Sequence, residues 1–142
     1  MQEPKLIIFD CDGTIVDSEK LIVTAMITAF EAQSLSPPAS ADIRRIIGLS
    51  LPLAVEMLLN ESNPDLIAKV SNGYKEAYSD LRDQKGHPEP MFDGALELIR
   101  KLNSTDHYIL GIATGKSMRG VERLLDRFEL AHVFQTIQTS DN

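Results

Sequence analysis

A chain of 142 residues with 21 acidic against 14 basic side chains carries a formal net charge of -7. This is the size of one ordinary domain, and the acidic excess argues against a nucleic-acid or anionic-membrane surface, both of which need basic patches. One cysteine, Cys11, excludes an internal disulfide; with no long apolar span and no signal-peptide pattern, the expectation is a soluble, cytoplasmic protein.

Leu6 to Phe9 is a short continuous apolar run, which predicts a strand buried on both faces. It ends in Asp10-Cys11-Asp12-Gly13-Thr14. In extended backbone, residues i and i+2 point the same way. Asp10 and Asp12 therefore converge at the carboxyl end of a strand, where open α/β sheets bind ligands. Two like charges so close call for a cation, and a hard divalent ion with oxygen ligands suits them. Asp-Gly by itself is also ordinary turn chemistry. A calcium loop fails, because Thr14, Ile15 and Leu21 stand where that loop needs an acid or amide, Gly and Glu. Cys11 reads as a small buried filler rather than a reactive thiol.

The period then becomes helical. Leu21, Ile22, Ala25, Met26, Ala29 and Phe30 form one stripe, with Ser18 as an N-cap. Ser36-Pro-Pro38 breaks the chain. Ser40 is expected to cap a short helix ending at Gly48, Ser50 to start a third with Pro52 in its first turn, and Asn63-Pro64 to open a fourth striped by Leu66, Ile67, Val70, Tyr74, Tyr78 and Leu81. Arg82 to Pro90, with Gly86 and Pro88, reads as a linker, and His87, His107 and His132 as surface or loop residues. Arg44 and Arg45 flank Ile46-Ile-Gly48-Leu-Ser50, where an Arg fork can meet an anion or simply face solvent.

An α/β pattern follows. Asp93-Gly-Ala95 opens a helix carrying Leu96, Ile99 and Leu102; Tyr108 to Ala113 is a second strand; Met118, Val121, Leu124, Leu125 and Phe128 stripe another helix; Val133 to Gln138 is a third strand. The second strand ends in Thr114-Gly115-Lys116-Ser117. Backbone N–H groups at a helix start, a hydroxyl and an ammonium suit a phosphate. A P-loop is one residue short here, since position 110 is Leu and only three residues separate Gly111 from Gly115. A plain helix cap by Thr114 or Ser117 is the simpler alternative.

Asp10-Cys-Asp12-Gly-Thr14-Ile-Val-Asp17-Ser18, together with an apolar strand ending in Thr114, resembles the haloacid dehalogenase superfamily in its phosphoglycolate phosphatase-like and β-phosphoglucomutase-like branch. The resemblance implies an α/β fold: a Rossmann-like parallel sheet over residues 1–16 and 91–142, incomplete here, interrupted by a helical cap over residues 17–90. It implies that Asp10 is a nucleophile forming an aspartyl-phosphate and that Asp12 is the general acid and base. It further implies that Asp10 and Asp12 hold Mg2+, Asp12 through its backbone carbonyl, that the Thr114 hydroxyl and the Gly115 N–H hold the phosphoryl group of a small phosphorylated metabolite, and that Asp17 orients the first loop; Lys116 adds a positive charge for the phosphate but is not the family's later lysine. The true dehalogenases lack an acid at the position of Asp12. Arg45, Gly48 and Ser50 are candidates for substrate contact from the cap, and Lys20 for steering anions.

The family's later motifs, a lysine in a Lys-Pro context and a final acidic pair, do not occur in this sequence. The expectation is therefore an N-terminal fragment, inactive alone and weak in Mg2+ binding, whose open sheet edge pairs with a complementing C-terminal fragment or a second copy. The alternatives are a sugar-phosphate mutase and a non-catalytic interaction module.

Overall fold

The computed structural model describes residues 3–84 and 89–142. Gly86, His87 and Pro88 of the expected linker lie outside the described residues. The chain divides into two compact units, Met1–Asp17 with Met91–Asn142, and Ser18–Pro90.

The first unit is built on three parallel strands in the order β1-β2-β3, with β1 at Lys5–Phe9, β2 at Tyr108–Ala113 and β3 at Thr136–Gln138. Lys5 pairs with Tyr108 and Phe9 with Ile112; Gly111 pairs with Thr136. Ile7, Phe9, Leu110, Ile112 and Ile137 point to one face of the sheet. There they meet Leu96, Ile99 and Leu102 of the helix Ala95–Asn103 and Val121, Leu124 and Leu125 of the helix Met118–Arg127. Both helices stripe at the spacing their apolar residues dictate.

The expectation that the first strand is buried on both faces is not met. Leu6 and Ile8 are 55% and 56% exposed, and Ile109, in register with Leu6, is 38% exposed. The physical reason is topological: β1 lies at the edge of the sheet, and both helices of this unit pack on its other face. The third strand is also shorter than expected, three residues rather than the run from Val133. The chain is still turning at Val133, whose N–H donates to the Leu130 carbonyl at 3.1 Å. Phe134 is buried and meets Phe9 edge to face at 6.3 Å.

Among the described residues the second unit holds four helices, which in chain order are α1 at Glu19–Ala32, α2 at Ser40–Arg45, α3 at Leu51–Leu59 and α4 at Pro64–Arg82; the two helices described in the sheet unit are α5, Ala95–Asn103, and α6, Met118–Arg127. All six stripe residues of α1, from Leu21 to Phe30, are buried. α1 packs on α4, where Gly73 approaches Ala29 closely enough that an added Cβ would lie 3.6 Å from the Ala29 Cβ. Asn63 caps α4, its side-chain oxygen accepting from the Asp65 and Leu66 N–H groups at 3.1 and 3.3 Å. Ser40 does not cap α2. Ala39 occupies the N-cap in extended backbone, and Ser40 is the first helical residue. Ser18 and Ser50 hold N-cap positions without a side-chain cap bond. Gly48 turns the chain after α2 at φ +103. Tyr78 donates to the buried Glu89 carboxylate, tying the returning segment to α4. Among the described residues, no helix is long and apolar enough to cross a membrane.

Candidate active site

The first half of the site is the turn that β1 runs into. The Cys11 carbonyl accepts from three N–H groups, those of Thr14, Ile15 and Val16, at 3.1, 3.0 and 3.1 Å. Gly13 closes the turn at φ +80, a conformation that favours glycine, and its N–H donates to the Val16 carbonyl at 2.9 Å. Val16 bridges to Met91, and the Phe92 N–H donates to the Ile15 carbonyl at 3.1 Å, so the turn is anchored to the strand's own unit. Within it the Cys11 N–H donates to Asp10 Oδ1 at 2.6 Å, which fixes one carboxylate oxygen.

The second half leaves β2 on the neighbouring strand. The Thr114 N–H donates to the Gln138 carbonyl at 3.0 Å, extending the β2–β3 ladder by one bond. The Thr114 hydroxyl accepts from the Lys116 N–H at 3.1 Å. Ser117 caps α6, its Oγ accepting from the Gly120 N–H at 3.2 Å, and the Asp141 carboxylate accepts from the Met118 N–H at 2.9 Å. Two of the N–H groups at the start of α6 are thus taken by the chain itself. The donors of this loop best suited to an external anion are the Thr114 hydroxyl, the Gly115 N–H and the Lys116 ammonium.

The two halves meet. Lys116 Nζ lies 3.2 Å from Asp12 Oδ1, and both side chains are largely withdrawn from solvent, at 11% and 16% exposure. A pair so enclosed is screened far less than a surface one. Cys11 sits fully buried between the halves. Burial first, then the Asp12 and Asp10 carboxylates, push its thiol up to about 12; the Lys116 charge and a hydrogen bond with Thr114 oppose this and are outweighed. The thiol is therefore a protonated filler with no nucleophilic character at neutral pH.

A family model described as "Haloacid dehalogenase-like hydrolase" matches residues 7–142. The chain belongs to this family. Within the haloacid dehalogenase-like hydrolases it is 25% identical over 145 residues to the phosphoglycolate phosphatase of Vibrio cholerae, covering 99% of this chain and 64% of that one. It is 31% identical over 138 residues to a Dickeya dadantii protein named "Probable phosphatase IndB", covering 96% and 59%. Among solved structures, a hydrolase from Pseudomonas syringae superposes with a TM-score of 0.81 at 28% identity, covering 98% of this chain and 62% of that one. The chain thus spans about three-fifths of the length of the relatives it matches.

Of the residues singled out from sequence, Asp10, Asp12, Thr114, Gly115 and Lys116 lie together on neighbouring strand ends of one unit. Arg45, Gly48 and Ser50 belong to the helical unit, where Arg45 pairs with Asp42 at 3.2 Å and Arg44 with Glu19 at 2.7 Å. Lys20 and Asp17 are exposed. Sequence reasoning passed over Asp141 and Gly120. Asp141 carried a usable signal, an acid just past a strand end, but its partner is 23 residues away.

Proposed function

We propose that this chain carries the nucleophile half of a Mg2+-dependent phosphomonoester hydrolase, acting through an aspartyl-phosphate on a small phosphorylated metabolite in the manner of a phosphoglycolate phosphatase. The observation that supports this most directly is the 3.2 Å approach of Lys116 to Asp12, because it joins the turn that carries the acids to the turn that carries the Thr-Gly-Lys run. Phosphoryl transfer is mainly positioning and charge stabilisation, and this is a donor set for both.

In this reading the residues take the roles that the family resemblance implies. The Asp10 oxygen not held by the Cys11 N–H attacks phosphorus, and the bond from phosphorus to the ester oxygen breaks. Asp12 gives its proton to the leaving alkoxide, then takes one from the water that hydrolyses the aspartyl-phosphate and frees Asp10. Lys116, with the Thr114 hydroxyl and the Gly115 N–H, holds the phosphoryl oxygens. A phosphate drawing Lys116 toward itself also releases Asp12 to carry a proton.

The donor set fits Mg2+. The Asp10 carboxylate and the Asp12 backbone carbonyl are hard oxygen donors, and this ion binds commonly through one or two carboxylates with waters and substrate phosphate. Asp10 and Asp12 would hold it, and bound there it would offset charge building on the phosphoryl oxygens. Among the described residues no cluster of three or more His, Cys, Asp or Glu stands ready for a metal. The 142 residues by themselves would therefore bind Mg2+ weakly and turn over little. In this reading the open edge of β1 pairs with a complementing polypeptide.

The test is Asp10→Asn in a complete phosphatase that carries this sequence. Loss of phosphomonoester turnover with an unchanged melting temperature is expected; turnover close to the parent's would remove Asp10 from the nucleophile role. Metal-dependent turnover by the 142-residue chain would overturn the proposed division of the site.

A further inference from the structure

Gly120 is a glycine inside a helix, the least favourable residue there after proline. Its backbone does not ask for it: among the described residues the glycines with positive φ are Gly13, Gly48 and Gly94, and Gly120 is not among them. The neighbour that does ask for it is Lys116. A Cβ at position 120 would lie 3.0 Å from Lys116 Cε, 3.1 Å from Cγ and 3.4 Å from Cδ. The close atoms run along the whole stem. Relief would therefore need the stem to give by a few tenths of an ångström along its length, and the ammonium at its end would move with it. That ammonium is the one 3.2 Å from Asp12.

We infer that Gly120 is a positioning residue for Lys116: its bare Cα is a trough in α6 along which the lysine stem lies, so that Nζ reaches Asp12 and the anion donors around it. The inference rests on the reading of Lys116 as the cation of a phosphate site, and deepens it by naming what aims that cation. A helix start otherwise closed by Ser117 and Asp141 then depends on a side chain that doubles back across its own first turn.

Two measurements on the 142-residue chain test it. The first compares urea midpoints of the parent, Gly120→Ala, Lys116→Ala and the double variant. Alanine should raise the midpoint in the Lys116→Ala background, as it does in ordinary helices, and should fail to do so where Lys116 is present. Equal shifts in the two backgrounds would overturn the inference. The second is an NMR titration with inorganic phosphate followed at the Gly115 amide, together with the Lys116 ammonium signal. Gly120→Ala should weaken phosphate roughly tenfold, about the loss of one hydrogen bond to a charged group, and should expose the ammonium to rapid exchange. Unchanged affinity and an unchanged ammonium signal would overturn it. If phosphate fails to bind the parent chain, the phosphate-site reading falls, and the midpoint comparison alone decides whether Gly120 aims Lys116 at Asp12.

Discussion

On one face of the sheet Leu110 and Ile112 are each 1% exposed beneath α5 and α6; on the other Leu6 and Ile8 are more than half exposed. The side chains are of one kind and lie on neighbouring strands, Leu6 and Ile8 on β1 at the edge and Leu110 and Ile112 on β2 at the centre. What differs most is what lies over them. An apolar strand therefore announces that both its faces can be covered, and says nothing about whether the same stretch of chain supplies both covers. The two faces should respond very differently to truncation.

The largest effect is expected at Leu110→Ala, which should cost about 3 kcal/mol of unfolding free energy in urea. Ile8→Ala on the bare face should stay within roughly 0.5 kcal/mol. A loss at Ile8 comparable to that at Leu110 would mean that the bare face is covered in solution, and sedimentation at several concentrations would then show association. The next effect sharpens the contrast at the strand tip, where Cys11 belongs to the covered side. Its folded thiol titrates at about 12 against an ordinary 9.0, so the folded state holds a proton that the unfolded state has released. Stability should be level below pH 9 and fall from there toward about 12, by up to about 1.4 kcal/mol per pH unit. Cys11→Ala should remove that part of the alkaline slope; an identical slope in both proteins would contradict it. The smallest effect lies in the helical unit, where burial covers a polar atom instead. Ser71 Oγ is buried without a hydrogen-bond partner. Ser71→Ala should therefore raise stability by about 1 kcal/mol, and a lower urea midpoint would show that the hydroxyl is satisfied in solution.

Much of this fold is legible from period and punctuation. The limits of β2, the stripe of α1 and the Asn63 cap of α4 all follow from residues close in sequence. The bare face of β1 does not, because exposure there depends on which elements lie over the sheet, not on the strand. The short third strand misleads for a related reason: Val133 and Phe134 are apolar because they close a turn and fill the core, not because they extend a ladder. At the site, the acids and the Thr-Gly-Lys run announce themselves as strand-end residues. Their pairing does not, since Asp12 and Lys116 are 104 residues apart and no local pattern encodes that distance. Gly120 is invisible for a third reason. A glycine in a helical stripe looks like a weakness until the neighbour that crosses it is seen.

The ladder between Lys5–Phe9 and Tyr108–Ala113 also bears on how the molecule assembles. During synthesis β1 emerges first, and its neighbour emerges only after the whole helical unit. Closing so long a stretch is slow when the intervening chain is loose, because every contact it earns is non-local. A helical insert that collapses on its own contacts shortens the path the ends must search. The pairing of Asp12 with Lys116 then forms late, once β2 and the turn beyond it arrive.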